Sequence, residues 1–142
     1  MPTPSADAAL ILESLEIAAE QGDLTEAVYA RLFREQPQMQ PLFWRDTDHA
    51  IKGEMLARVF EAIIDFVGER RYADKLIQCE VITHDGYDVP PAVFATFFAV
   101  VAADIRAACG ARWTPHMQAA WDRLLADLDF YVQNPAHSAA AP

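Results

Sequence analysis

An all-α fold of six to seven crossed helices is what the sequence predicts. Apolar residues recur at spacings of three and four along most of the chain, the period of a helix packed on a core, and no segment of useful length alternates with period two. Helix breakers then cut this pattern into unequal pieces. Pro37, Gly68 and the corner from Asp85 to Val89 give lengths that fit crossed packing better than an up-and-down bundle.

Taken in order, Met1 to Asp7 is a polar lead-in whose Ser5 can cap the helix that follows. Ala8 to Gln21 is rich in helix formers and stops at Gly22; Asp23 and Thr25 then supply a new start. The next helix, Leu24 to Gln36, puts Leu24, Val28 and Leu32 on one stripe with Tyr29 and Phe33 beside it, and Pro37 ends it. Gln38 to Leu42 has room only for a short turn of helix before Phe43-Trp44, and Arg45 to His49 reads as a polar connection. From about Ile51 to Val67 the residues Leu56, Val59, Phe60, Ile63, Ile64 and Val67 form a core-facing stripe. After the break at Gly68-Glu69-Arg70, a short helix runs from Tyr72 to His84 and closes on the Asp85-Gly86 turn. Pro90 sits at the first turn of a helix carrying Val93, Phe94, Phe97, Phe98, Val101 and Ile105, which ends at Gly110. Thr114-Pro115 is a hydroxyl cap followed by proline, and the last helix shows Met117, Trp121, Leu124, Leu125, Leu128 and Tyr131 on one face. Asn134 to Pro142 is a small-residue tail.

The 142 residues suit one domain with a single core, expected over the whole chain with its packed part from about residue 8 to 132. With 21 acidic against 11 basic side chains the formal charge is -10, which repels phosphate backbones and anionic lipid, so nucleic-acid and membrane binding are disfavoured. No apolar run is read as approaching the ~20 residues of a membrane span, and the N-terminus lacks the pattern of a signal peptide. The two cysteines, Cys79 and Cys109, have no metal-ligand spacing and read as buried free thiols in a reducing cytoplasm. His49, His116 and His137 are scattered, without Glu or Cys at ligand spacing.

Chemistry concentrates in Cys79 to Phe98. His84 stands at the end of a short helix, beside a chain reversal, facing a run of Phe and Val. A neutral imidazole held there presents one ring nitrogen to a metal while the other bonds backbone. The plainer alternative is a surface histidine favoured by the helix C-terminal dipole.

Three stretches resemble a known family. Tyr29 to Phe43, Y-A-R-L-F-R-E-Q-P-Q-M-Q-P-L-F, is similar to the second and third helices of a globin. H-D-G-Y-D-V-P-P from His84 resembles the corner after the proximal histidine in bacterial single-domain globins and the globin part of flavohemoglobins. The A-A-W segment ending at Trp121 resembles their last helix. The resemblance spans about Ala8 to Val132. It implies a heme b (iron protoporphyrin IX) cofactor, with His84 as the proximal iron ligand, Phe43 as the aromatic clamp and Pro37 as the turn toward it. It puts Tyr29 over the distal face, where a phenol donates to a partly negative bound ligand; such a bond is worth roughly 1.5–3 kcal/mol. The competing reading for Tyr29 is a core residue whose hydroxyl finds a backbone carbonyl.

On the distal helix the same resemblance puts Met55 at the ligand-facing position, Val59 over the iron and Arg58 toward the pocket mouth, to swing inward or to pair with a propionate. Arg45 is a second propionate candidate. Ile77, Val81, Tyr87, Val89, Phe94 and Phe98 complete the expected cofactor contacts. Two departures stand out. Phe94 replaces the tyrosine that flavohemoglobins pair with the proximal histidine, and the matching glutamate stretch falls near Ala136, so the electron-donating network is expected to be absent. Glu80 stands where an apolar heme contact is usual, which leaves either a helix turned to face the cofactor with Ile77 and Val81, or an altered site. The function implied is reversible binding of O2 or another diatomic such as NO or CO, as carrier, scavenger or sensor. The rivals are NO dioxygenation with a separate reductase, since the chain ends after the globin unit, and a heme-free interaction module. The oligomeric state is open.

Overall fold

The computed structural model describes residues 6–43, 46, 50–87 and 89–134. Among them are six α-helices and no strand: α1 (Ala6–Ala19), α2 (Thr25–Glu35), α3 (Ala50–Val67), α4 (Ala73–Asp85), α5 (Pro91–Cys109) and α6 (Pro115–Gln133). Two 3-10 segments, Pro37–Phe43 and Gly110–Arg112, link them. The expected all-α architecture is therefore present, with Ala6 and Asp7 helical rather than part of the lead-in. Ser5, Trp44, Arg45, His49, Ala136 and His137 lie outside the described residues.

The caps explain the boundaries. Asp23 Oδ1 accepts from the amide and the hydroxyl of Thr25 at 2.9 and 2.6 Å, which opens α2 after the left-handed Gly22 (φ 98°). Thr114 Oγ1 accepts from Met117 N at 3.0 Å and Pro115 follows at the first helical position, as expected for α6. The start of α4 is capped from outside its own sequence: Asp65 on α3 accepts from the amides of Arg71, Tyr72 and Ala73 at 3.0, 2.9 and 2.8 Å. The chain reaches that cap through Arg70 in the left-handed region (φ 53°), with its guanidinium 3.8 Å from the centre of the Phe66 ring.

Helices α1, α5 and α6 pack on one another most extensively, and α2, α3 and α4 are laid against that unit. Ile11, Ile63, Phe66, Val101, Ile105, Met117, Trp121 and Leu128 fill the interior. A buried polar link crosses it: Trp121 Nε1 donates to Ser14 Oγ at 2.9 Å, and Ser14 Oγ donates to the Ile11 carbonyl at 2.6 Å.

Three expectations are corrected. Ile64 is 48% exposed rather than core-facing, because α3 turns Ala62, Ile63 and Phe66 inward instead. Of the two free cysteines only Cys109 is buried; Cys79 is on the surface of α4. A run of spanning length does exist: Pro91–Arg112 includes an 18-residue window of mean hydropathy 1.8 and is long and apolar enough to cross a membrane by length and composition. Part of it packs in the core, where Phe98, Val100, Val101, Ala102 and Ile105 are buried and Asp104 pairs with Arg31 at 3.2 Å.

Candidate functional site

His84 lies in the last turn of α4 with about a quarter of its side chain exposed. Its Nδ1 is 2.7 Å from the carbonyl oxygen of Glu80, one turn back. A carbonyl only accepts, so Nδ1 carries the hydrogen, and in the neutral form of the ring the lone pair is on Nε2. The ring stands edge-on to Phe94 with centroids 5.0 Å apart, and Phe94 continues to Phe98 at 6.0 Å.

On α4 the inward positions are Ile77 and Val81, each 2% exposed, and Glu80 is turned to the His84 side. Both aliphatic side chains belong to the hydrophobic core. No tyrosine or distant glutamate reaches His84 among the described residues, but the Glu80 carboxylate stands 3.6 Å from Nδ1, too far for a hydrogen bond and close enough to interact electrostatically.

Tyr29 projects from α2 into an aromatic cluster, with ring centroids 6.0 Å from Phe33, 5.4 Å from Phe43 and 5.5 Å from Phe97. The residue is 2% exposed and its hydroxyl has no hydrogen-bond partner among the described residues. No backbone carbonyl among the described residues accepts from it. Burial, then the negative charge of Asp46, push the phenol above its ordinary pKa, so the hydroxyl remains a donor across the physiological range.

Helix α5 joins these two groups. Phe94 touches His84 and Phe97 touches Tyr29, and residues three apart on a helix are neighbours on one face, separated by ~4.5 Å along the axis. Pro90 and Pro91 set the start of that helix, which explains why both prolines follow the corner.

The remaining expected contacts are placed as follows. Phe43 ends the 3-10 segment and packs on Phe33 and Tyr29. Val89 and Phe98 are buried, whereas Tyr87 is 70% exposed. Val59 is half-buried against the core; Met55 is half-buried too. Arg58 is exposed and pairs with Glu54 at 3.2 Å along the helix surface. Arg45 is outside the described residues.

The polar group brought to Tyr29 and Phe43 by α3 is Lys52, one turn before Met55. Its Nζ is 3.1 Å from Asp46 Oδ2 and 5.3 Å from the centre of the Phe43 ring. Asp46 in turn accepts from the amides of Ile51 and Lys52 at 3.0 and 3.1 Å, capping α3. Burial opposes its ionisation, but those two amides and the ammonium together hold the carboxyl below the usual carboxylate range. Neither residue stood out in the sequence. The available signal was a lysine four residues before Leu56 on the same helical stripe, a place for an apolar side chain.

Tyr29, Phe33, Pro41, Phe43 and Lys52 line a cleft of about 600 Å³ with Glu26 at its margin. A second cleft, about 420 Å³, lies between Arg31, Arg106, Trp113 and Leu125 and contains neither Tyr29 nor His84. No cluster of three His, Cys, Asp or Glu side chains suited to a metal ion occurs among the described residues, so an ion held by protein ligands alone has no site there. What this arrangement offers instead is one imidazole nitrogen, one unbonded phenol and apolar walls.

No match was found among curated proteins, and none among solved structures. The globin family profile, described as Globin, matches residues 26–129. Those residues run from the first turn of α2 into the last turns of α6 and include every side chain of the site described above. The chain belongs to the globin family.

Proposed function

We propose that this globin reversibly binds O2 or another diatomic gas at a heme b whose iron is ligated by His84, with Tyr29 as the ligand-stabilising donor. We further propose that it is of the bacterial single-domain and flavohemoglobin type and works in the cytoplasm. Membership of the globin family supports heme and gas binding in general. One observation carries the finer reading: α5 holds His84 and Tyr29 through adjacent rings, Phe94 and Phe97, on a single face.

The residues fit the cofactor. An iron porphyrin takes a neutral imidazole nitrogen whose other nitrogen is anchored, and His84 has its Nδ1–H committed to Glu80 O. Leaving a buried hydroxyl unbonded costs about 1–3 kcal/mol, which an acceptor arriving at Tyr29 would recover. When bound, heme supplies an iron that coordinates the gas. The rest is work for the side chains: His84 anchors, Phe43, Val89, Phe94 and Phe98 exclude water, and Tyr29 donates its hydrogen to the ligand.

Titration of the purified protein with hemin tests this. A Soret band saturating at one equivalent is expected, with a further shift when the reduced protein is exposed to CO. Replacing His84 by Ala should abolish stable uptake; wild-type spectra and retention in that variant would refute the axial assignment.

A further inference from the structure

The cleft beside Trp113 is lined by two guanidiniums and no carboxylate, in a chain with 21 acidic and 11 basic side chains. Arg31 is already balanced: its Nε and Nη2 meet the two carboxylate oxygens of Asp104, each at 3.2 Å. Arg106 is not. Its Nη1 donates to Gln118 Oε1 at 3.1 Å, a neutral acceptor, and no carboxylate among the described residues pairs with it. A guanidinium has five N–H donors, so most of its capacity stays available.

Gln118 positions that charge. Its Oε1 also accepts from Trp113 Nε1 at 3.1 Å, and its Nε2 donates to Asp122 Oδ1 at 2.9 Å. One amide thus holds a guanidinium and an indole side by side, with its own orientation fixed by a carboxylate that does not line the cleft. The rest of the lining is apolar. Ala99, Ala102, Ala103 and Ala107 share the Arg106 face of α5 at helical spacing, and α6 brings Trp121 and Leu125. The Trp121 N–H is taken by Ser14, so that indole offers carbon surface rather than a donor. Alanine side chains leave the space open, about 420 Å³, a size that suits a small organic molecule.

We infer that this cleft binds a small aromatic monocarboxylate, with its ring on Trp113 and the alanine floor and its carboxylate on Arg106. A neutral ring would forgo the guanidinium, and a short carboxylate such as acetate would forgo the apolar surface. The inference stands apart from the heme reading.

Calorimetric titration of the full chain with cinnamate tests it, with cinnamyl alcohol and acetate as partial ligands. Cinnamate should bind at one equivalent and at least about threefold more tightly than the alcohol, the worth of an ion pair near the surface, and acetate should not bind measurably. Arg106→Gln keeps hydrogen-bonding capacity and removes the charge. It should weaken cinnamate by roughly three- to tenfold and leave the alcohol within about twofold. Ala103→Leu, which fills the floor, should weaken both. In 15N-edited spectra the Trp113 indole N–H, assigned with Trp113→Phe, should shift as cinnamate is added. Absence of binding, equal affinity for cinnamate and its alcohol, an Arg106→Gln variant that binds cinnamate as the wild type does, or an unmoved Trp113 resonance would overturn the inference. Hemin-loaded and hemin-free chains should bind cinnamate alike; competition from one equivalent of hemin would overturn it too, by making the cleft the cofactor's.

Discussion

The Tyr29 hydroxyl is the most informative atom in the molecule, because its burial without a partner among the described residues is unfavourable unless something else binds there. Two opposite effects of Tyr29→Phe follow. The heme-free protein should lose nothing in stability and gain up to about 1 kcal/mol, since an unsatisfied polar atom disappears while the ring keeps Phe33, Phe43 and Phe97 as neighbours. The loaded protein should release O2 roughly ten- to a hundredfold faster, the worth of one hydrogen bond to a partly charged acceptor. Thermal melts of the apo form and stopped-flow O2 displacement by CO measure the two. A destabilised apo variant with an unchanged off-rate would mean that the hydroxyl serves the fold instead. Residues of this kind were legible in the chain: the Tyr29 to Phe43 pattern and the His84 corner already pointed to one donor and one imidazole. Lys52 and Asp46 were not, because a single lysine reads as solvated and its partner falls within a stretch read as a polar connection. Only the folded arrangement shows that the two bury each other.

At the scale of elements, the breakers visible in the sequence set the helix limits, and long-range caps set how the helices meet. Gly68 announces the end of α3, but nothing local announces that Asp65 will reach forward to cap α4. Side chains that close a helix eight residues away in the chain have no spacing rule comparable to the Thr114-Pro115 signature. The energetic consequence depends on pH. Burial opposes ionisation of Asp65, but the Tyr72, Arg71 and Ala73 amides outweigh it and hold the carboxyl below its ordinary value of 3.8. A folded-state pKa below the unfolded one adds stability that is complete above the unfolded value and disappears as pH falls through the folded value. Asp65→Asn should therefore be less stable than wild type at pH 7, by about 0.5–2 kcal/mol for a weakened cap. The gap should narrow below pH 4, where wild type loses the contribution that the variant never had. Urea unfolding of the heme-free proteins at pH 7, 4 and 3 checks this; a gap that stays constant across the series would show that the carboxylate charge is irrelevant to the cap. Because Asp65 sets the start of α4, the same variant should also hold hemin less firmly through the position of His84.

Over the whole molecule, the helices divide by role. α1, α5 and α6 bury one another's faces, and the Ser14–Trp121 link ties α1 to α6, so they form a scaffold. α2, the 3-10 segment, α3 and α4 carry Tyr29, Phe43, Lys52 and His84, and α5 packs against α2 and α4 at the proposed site. Local stability follows the density of buried contacts, and elements facing a ligand site are drawn from its lower end. Hydrogen exchange on the heme-free protein should accordingly show slow amides in α5, α6 and α1, with the core around Val101, Ile105 and Leu128 slowest, and markedly faster exchange in α4. Adding hemin should slow α4 and the first turns of α3 most, by at least about tenfold, because a ligand that binds only the folded site stabilises whatever must be ordered to hold it. The scaffold amides should change less. Equal slowing throughout would mean that the chain opens in one step and that the site half has no independent motion to lose. Slowing confined to α5 and α6 would put the cofactor in the Trp113 cleft, on the other side of α5 from His84.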